Sequence, residues 1–192
     1  MTGETAAPAG GGAAVVVLTG PPGSGKSTTG PLVAERFARA ACLEADWLFT
    51  TIAGGFVEPW LPAADDQNHT LLRAAAAAAG ALSRGGYAVV LEGVFGPWNL
   101  PLLIDGLERS AAEVHYVVLR PSVEVVLERA TSRLEKTPGI APLREVGPLR
   151  QLWEQFQDLG ALESHVIDNG ALDADETAGL VWRCVTEGTH RL

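Results

Sequence analysis

The sequence predicts an α/β fold in which a parallel five-stranded sheet carries helices on both faces. Short apolar runs alternate along the chain with stretches of helical character, the pattern typical of strands covered by crossover helices. The first run, residues 13–18, is β-branched and leads directly into the glycine-rich segment LTGPPGSGKST. At 192 residues, the chain is long enough for one domain with a substantial buried core.

The first half of the chain supplies three strands and two helices. The helix after the glycine-rich segment is expected to run to about Arg39, although Pro31 sits one turn too deep for a free N-terminal position. A short strand follows at 41–44, and glycines and prolines then break residues 47–64 into a short helix plus a loop.

A long helix and the third strand come next. Asp65 or Asp66 is expected to cap a helix that includes the alanine run 74–79 and ends at Gly85 and Gly86. The third strand is expected at 88–91.

The second half continues the alternation. The remaining elements are expected at 113–119 (strand), 122–135 (helix), 149–159 (helix) and 165–167 (strand). Proline and glycine break the segment before residue 149, and Asp173 with Glu176 has the spacing of a capping box for the last helix.

Composition and charge narrow the class of protein. The longest apolar runs fall far short of the roughly 20 residues that cross a bilayer. A net charge of −9 without basic clusters argues against a nucleic-acid partner. Residues 1–12 have no basic leader and are expected to be a flexible tail before the domain at 13–192, so we expect a cytoplasmic protein. Cys42 and Cys184 are expected to be buried thiols.

The glycine-rich segment contains the strongest functional signal. Gly20, Gly25, Lys26 and Ser27 fit the P-loop pattern G-x-x-x-x-G-K-[ST], in which main-chain amides at a helix N-terminus surround a phosphate. Lys26 would neutralise the β- and γ-phosphates, and the Ser27 hydroxyl would bind Mg²⁺. The residues predicted to bind the nucleotide are Gly20, Gly23, Ser24, Gly25, Lys26, Ser27 and Thr28. The alternative is a glycine-rich turn without a ligand.

Two other classes of P-loop protein fit poorly. A GTPase switch would need an N-K-x-D motif, which the sequence lacks, and a D-x-x-G after the third strand, where Glu92–Phe95 stands instead. A transporter-type ATPase would need a longer chain, and the LSRGG at 82–86 runs straight into a strand. Transfer of a phosphoryl group to a small acceptor remains.

The chain resembles the small P-loop kinases that include chloramphenicol phosphotransferase, gluconate kinase and shikimate kinase. The resemblance rests on the P-loop, the acidic residue after the second strand and the arginines of the helix after the fourth. It implies a P-loop NTPase three-layer fold with strand order 2-3-1-4-5, an acceptor-binding insert at about 47–73 and a lid at about 134–148. It also implies ATP or GTP as the phosphoryl donor, together with Mg²⁺.

The same resemblance assigns roles to acidic residues. Asp46, in CLEADWL, matches the aspartate that faces the acceptor hydroxyl, which makes it the predicted catalytic base. Its alternatives are a helix N-cap or a water-mediated magnesium contact. Glu44 is expected to point the other way along the strand. Glu92 either assists magnesium through water or holds a substrate hydroxyl.

Arginines are the predicted partners of the transferring phosphate. Arg129 and Arg133 are one helical turn apart and face the same side, and the resemblance implies that at least one reaches the phosphate. Arg133 ranks first because it is nearer the lid, and Arg120 is a third candidate. The alternative for the pair is an exposed helix face with ion pairs to Glu128 or Glu135.

The acceptor is narrowed by the composition of the insert. Residues 40–72 contain no lysine or arginine, so a grip on an anionic acceptor is not expected there. Aromatic residues and a few carboxylates favour a neutral or cationic hydroxylated compound. The residues predicted to bind it are Trp47, Phe56, Trp60, Glu92 and Trp98. Phe49 and Phe95 belong either to this pocket or to the core.

The predicted activity is ATP- and Mg²⁺-dependent O-phosphorylation of a small hydroxylated compound, with an antibiotic or nucleoside-like natural product favoured. The alternatives are a housekeeping sugar-acid or nucleotide kinase, and a regulatory module that hydrolyses ATP slowly. No histidine chemistry is predicted, since His69, His115 and His165 are expected at the surface or at element ends.

Overall fold

A computed structural model describes residues 13–107, 112–132 and 145–192. In it, five parallel strands form one sheet in the order β2-β3-β1-β4-β5, which confirms the predicted fold class and strand order. The strands are β1 (Val15–Thr19), β2 (Ala40–Glu44), β3 (Ala88–Glu92), β4 (Val114–Leu119) and β5 (Val166–Ile167).

The sheet is buried on both faces, and β1 lies at its centre. All five residues of β1 are buried, with β3 on one side and β4 on the other. Val15 and Val17 belong to one apolar cluster, whereas Val16 and Leu18 belong to the other. This alternation follows from the two-residue period of a strand, and it explains why the predicted strands are continuous apolar runs.

Helices cover both faces of the sheet. The described helices are α1 (Lys26–Ala34), α2 (Asp65–Arg84), α3 (Leu100–Leu107), α4 (Val123–Thr131), α5 (Val146–Glu154) and α6 (Ala174–Glu187). The apolar faces of α2 and α3 join the cluster that contains Val15, and those of α1 and α6 join the cluster that contains Val16. Three short 3₁₀ helices lie at Ala45–Thr51, Pro62–Ala64 and Gly160–His165.

Several predicted helix boundaries were wrong. Helix α1 ends at Ala34 rather than near Arg39, three residues after Pro31, which lies inside it. Asp65 and Asp66 occupy the first turn of α2, whose N-cap is Ala64, so they favour the helix dipole instead of capping the helix. The ends of α2 at Gly85 and of α6 at its capping box are as predicted.

One helix was missed, and most of the predicted lid lies outside the described residues. Helix α3 packs Leu103 and Leu107 into the core, and Pro101 stands at its second position, where a proline is tolerated. Helix α4 is described to Thr131 and α5 starts at Val146, so the greater part of the lid segment, including Arg133, is not among the described ranges.

The C-terminal residues return to the sheet beside a group of histidines. Main-chain hydrogen bonds join Tyr116 to His190 at 2.8 Å and Leu192 to Val114 at 3.0 Å. His115 and His165 are buried at 1% and 8% exposure, so their predicted surface positions were wrong. The rings of His165 and His190 meet edge to face, with centroids 5.3 Å apart.

Both cysteines are free, and neither is fully buried. Cys184 is half-buried, whereas Cys42 lies on the edge strand β2 and is exposed, so its predicted burial was wrong. The Cys42 sulfur nevertheless faces α1, 3.2 Å from where a Cβ on Gly30 would stand. Burial of that sulfur, reinforced by the carboxylates of Glu92 and Glu44, raises the pKa of Cys42 to about 12.

Membrane crossing was tested on the described helices. Within this part of the chain, none of them combines the length and the apolar character that a bilayer requires.

Candidate active site

The phosphate-binding loop connects β1 to α1 at the carboxyl edge of the sheet. Gly25 is the N-cap of α1 and has a left-handed backbone, with φ 98°. Gly23, with φ 86°, lies so close to α4 that an added Cβ would stand 2.6 Å from the Val126 carbonyl oxygen. The loop therefore needs glycine at Gly23 both for its backbone angle and for the space beside α4.

Lys26 is the first residue of α1, and its amine lies inside the loop. The Nζ atom donates hydrogen bonds to the carbonyl oxygens of Gly20 at 2.8 Å and Pro21 at 3.0 Å. The residue is 8% exposed. A cation is thus held at the N-terminus of a helix, where the helix dipole also favours an anion.

The loop borders a cavity of about 210 Å³, here called the phosphate-loop cavity. It is lined by Pro22, Gly23, Gly25, Lys26, Ser27, Thr28, Glu44, Asp46, Glu92, Val94 and Arg129. Gly20 and Ser24 are buried beneath this surface and shape the loop instead of lining the cavity. Five of the seven residues predicted to bind the nucleotide therefore meet around one space.

Three carboxylates come from the ends of neighbouring strands. Glu44 ends β2 and is paired in register with Glu92, which ends β3 and is 4% exposed, while Asp46 follows in the 3₁₀ helix. Parallel strands end at the same edge of a sheet, so these side chains reach the same cavity. The expectation that Glu44 points away was wrong, because residues two apart along a strand share a face.

The donor set suits a magnesium ion that is held mainly by phosphates. Among the described residues, no group of three or more His, Cys, Asp or Glu side chains could hold a metal by itself. Mg²⁺ usually takes one or two protein ligands together with substrate phosphates and water. A hydroxyl from Ser27 with carboxylates around it, in a cavity that also contains Lys26, fits that chemistry.

Arg129 reaches the phosphate-loop cavity from α4. Its Nη2 atom donates to the carbonyl oxygens of Gly170 at 3.3 Å and Asn169 at 3.5 Å, in the turn after β5. Arg120 instead forms a bidentate pair with Glu163, at 2.9 and 3.0 Å, and lines neither of the two cavities described here. That pair, with a further hydrogen bond from the Leu159 amide, lowers the pKa of Glu163.

Asn169 is a buried residue of the site that the sequence interpretation missed. Its Nδ2 atom donates to the main-chain oxygen of Ser24 at 2.9 Å, and the residue is 2% exposed. The available signal was an amide directly after the last strand, at the edge where the other polar site residues also stand.

A second cavity of about 560 Å³, here called the aromatic cavity, adjoins the first. Its aromatic lining consists of Phe49, Trp60, Phe95 and Trp98, and its polar lining of Glu44, Asp46, Asp65, Asn68, Asn99, Gln151 and Gln155. No lysine or arginine among the described residues lines it. Pro22, Gly23, Glu44, Asp46 and Val94 line both cavities.

The predicted acceptor-binding aromatics separate into two groups. Trp60 and Trp98 line the aromatic cavity, and Trp98 packs edge to face on Phe156 with ring centroids 5.5 Å apart. Trp47 is 60% exposed and Phe56 is 40% exposed, and the structure brings neither to the lining of the cavity. Exposed positions in the insert look the same as pocket positions in a sequence.

Phe95 belongs to both the core and the cavity wall. It is 5% exposed, and its main chain is fixed by the Thr19 hydroxyl, which accepts from the Phe95 amide at 2.8 Å. The Tyr116 hydroxyl donates to the Phe95 carbonyl oxygen at 2.6 Å. Burial raises the pKa of Tyr116, so its hydroxyl stays protonated and remains a donor.

Solved structures of kinases share this fold. The Deinococcus radiodurans tunicamycin resistance protein is 19% identical, with a TM-score of 0.64 over 93% of this chain and 98% of that one. The Mycobacterium tuberculosis APS kinase, in complex with AMPPNP and APS, is 16% identical, with a TM-score of 0.64 over 92% and 99%. Acinetobacter baumannii shikimate kinase, in complex with shikimate, is 21% identical, with a TM-score of 0.58 over 91% and 94%.

Sequence comparison identifies the family. No curated protein sequence matches the chain significantly. Residues 15–154, from β1 to the end of α5, match a family model described as an AAA domain. Because this match spans most of the chain, the protein belongs to that AAA-domain family, and its fold is that of the small P-loop kinases.

Proposed function

We propose that the protein is an ATP- and Mg²⁺-dependent O-phosphotransferase that acts on a small hydroxylated compound. The observation that carries this proposal is the shared wall of the two cavities, in which Asp46 borders both the phosphate loop and the aromatic cavity. A donor phosphate in one cavity and an acceptor hydroxyl in the other would meet at this carboxylate. The kinase fold of the structural neighbours supports the same activity.

The side chains then have distinct tasks in the transfer. Asp46 orients the acceptor hydroxyl and takes its proton as the new O–P bond forms and the bond to the β–γ bridging oxygen breaks, which releases ADP. Lys26 and Arg129 stabilise the charge on the phosphoryl oxygens. Magnesium, when bound, neutralises charge on the β- and γ-phosphates, and Ser27 is the residue placed to hold it, with Glu92 nearby.

The lining of the aromatic cavity supports a neutral or cationic acceptor. Three carboxylates and four amide side chains offer hydrogen-bond acceptors, and the described lining has no basic side chain for a carboxylate or phosphate. Four aromatic side chains favour an acceptor with a substantial apolar surface. An antibiotic or nucleoside-like natural product, phosphorylated as a resistance step, fits these requirements. One structural neighbour is a tunicamycin resistance protein, which agrees with this acceptor class.

A panel of acceptors tests the proposal. The purified protein, MgATP or MgGTP and single compounds are incubated, and ADP or GDP release and the phosphorylated product are measured. We expect stimulation by a neutral or cationic hydroxylated natural product. Rapid phosphorylation of gluconate or of a nucleoside monophosphate would favour a housekeeping kinase, and release that no compound stimulates would favour a regulatory hydrolase.

A further inference from the structure

We propose that Asn169, in the turn after β5, is a positioning residue that holds the phosphate-binding loop and Arg129 in one arrangement for the nucleotide. The inference rests on the proposed function and deepens it, because it names a residue outside the P-loop motif that sets nucleotide affinity. Asn169 lines neither cavity, so the role differs from direct contact with the phosphoryl group.

The first contact fixes the loop. The Asn169 Nδ2 atom donates to the Ser24 carbonyl oxygen at 2.9 Å, across 145 residues of chain. Ser24 stands between Gly23 and Gly25, whose positive φ values of 86° and 98° mark the most permissive backbone of the loop. A hydrogen bond at this point restrains the part of the loop that the glycines leave free to move.

The second contact places the arginine. Arg129 donates from Nη2 to the main-chain oxygens of Asn169 and Gly170. The Arg129 Nη1 and Asn169 Nδ2 atoms lie 3.9 and 3.5 Å from where a Cβ on Gly25 would stand. The turn is itself closed by a hydrogen bond of 2.9 Å from the Gly170 amide to Asp168 Oδ1. One short turn therefore fixes the loop and the cation together.

The chemistry of the amide explains why asparagine is needed. Only the Nδ2 side of the group can donate to the Ser24 carbonyl, and Asn169 Oδ1 is buried without a hydrogen-bond partner among the described residues. A carboxylate of the same shape would place an oxygen against the Ser24 oxygen and add a negative charge beside the phosphate site. An alanine would leave the Ser24 carbonyl without this donor.

Binding of AMPPNP with Mg²⁺ to the whole protein, measured by calorimetry, tests the inference. We expect the Kd to rise about tenfold in Asn169→Ala and about a hundredfold in Asn169→Asp, while the melting temperature of each ligand-free variant changes little. Gln157→Glu makes the same amide-to-carboxylate change at an exposed residue that lines neither cavity, and its Kd should stay within about twofold of the parent value.

Two results would overturn the inference: Kd values of both Asn169 variants within twofold of the parent, or a loss of melting temperature without a loss of affinity. If neither variant folds, hydrogen exchange of the parent with Mg²⁺ and tripolyphosphate decides, since this probe has no base or ribose. We expect protection of residues 20–28 and 165–172 together, and protection of 20–28 alone would contradict the proposal. Because no acceptor is present, a protein that binds nucleotide but phosphorylates nothing would refute the proposed function and leave this inference standing.

Discussion

Asp46 is the residue on which the proposed chemistry depends most. It follows β2 in the 3₁₀ helix Ala45–Thr51, is exposed, and lines both cavities. Glu44 lines the same two cavities, so a second carboxylate stands close to the predicted base. The resemblance to small P-loop kinases singles out Asp46, whereas the geometry alone admits both residues.

Replacement of Asp46 by asparagine separates binding from turnover. Asp46→Asn keeps the shape of the side chain but removes its ability to take a proton, so we expect turnover to fall by about a hundredfold or more while the Kd for MgATP changes by less than a few fold. Glu58→Gln is a matched control, because Glu58 is an exposed carboxylate of the same insert that lines neither cavity. Turnover of Asp46→Asn within a few fold of the parent would show that Asp46 is not the base, and Glu44→Gln would then be the variant to measure.

The phosphate loop acts as a unit with helix α4, and Gly23 is the point of contact. A methyl group on Gly23 would stand 2.6 Å from the Val126 carbonyl oxygen, on a backbone with φ 86°. We therefore expect Gly23→Ala to displace the loop and to weaken MgATP binding by about tenfold or more. Gly54→Ala is the control, since a Cβ there meets nothing within 4 Å. Equal affinities of the two variants, measured by calorimetry, would contradict the described packing.

Local patterns in the sequence predicted the elements that local physics determines. The apolar run of β1, the P-loop and the capping box of α6 depend on neighbouring residues, and the structure contains each of them. The order of the strands was available only through resemblance, because pairing between strands depends on distant residues. The contact from Asn169 to Ser24 spans 145 residues, and no local pattern indicates it.

Other differences have equally specific causes. Helix α3 was missed because its apolar residues follow a proline-containing stretch that resembles a loop. Glu44 was assigned to the wrong side because the two-residue period of a strand was applied incorrectly. Trp47 and Trp98 have the same character in the sequence, yet only Trp98 lies in the cavity wall, because the fold of the insert decides which aromatic faces inward.

Buried histidines connect the stability of the protein to pH. Burial lowers the pKa of His115, despite the carboxylate of Glu113 3.5 Å away, and Arg191 lowers it further. Burial, together with His165 and His115, also lowers the pKa of His190. The unfolded chain, with an ordinary histidine pKa of about 6.5, therefore binds more protons than the folded protein just below that pH.

The free energy of unfolding should accordingly be fully retained above pH 6.5 and fall as the pH drops towards 5. The slope attributable to each histidine is at most about 1.4 kcal/mol per pH unit. Urea denaturation of the parent and of His190→Gln at pH 7.5 and 5.5 measures it, and the variant should lose less stability between these two values. An identical loss in both proteins would assign the acid sensitivity to other groups.

The two adjoining cavities, one with a phosphate loop and one with aromatic walls, unite the account of this protein. All of the proposed chemistry requires that the phosphate-loop cavity hold a nucleoside triphosphate, with the Lys26 amine turned from the Gly20 and Pro21 carbonyls towards the phosphates. The acceptor and the role of Asp46 become relevant only once the nucleotide binds.

Calorimetric titration of the purified protein with MgATP and MgGTP, in parallel with Lys26→Ala, is the most direct test. We predict binding of at least one of these nucleotides to a single site, with affinity reduced about tenfold or more in the variant, because the cation at the phosphates is lost. Absence of binding of either nucleotide by the parent protein, or equal affinity in Lys26→Ala, would contradict the account.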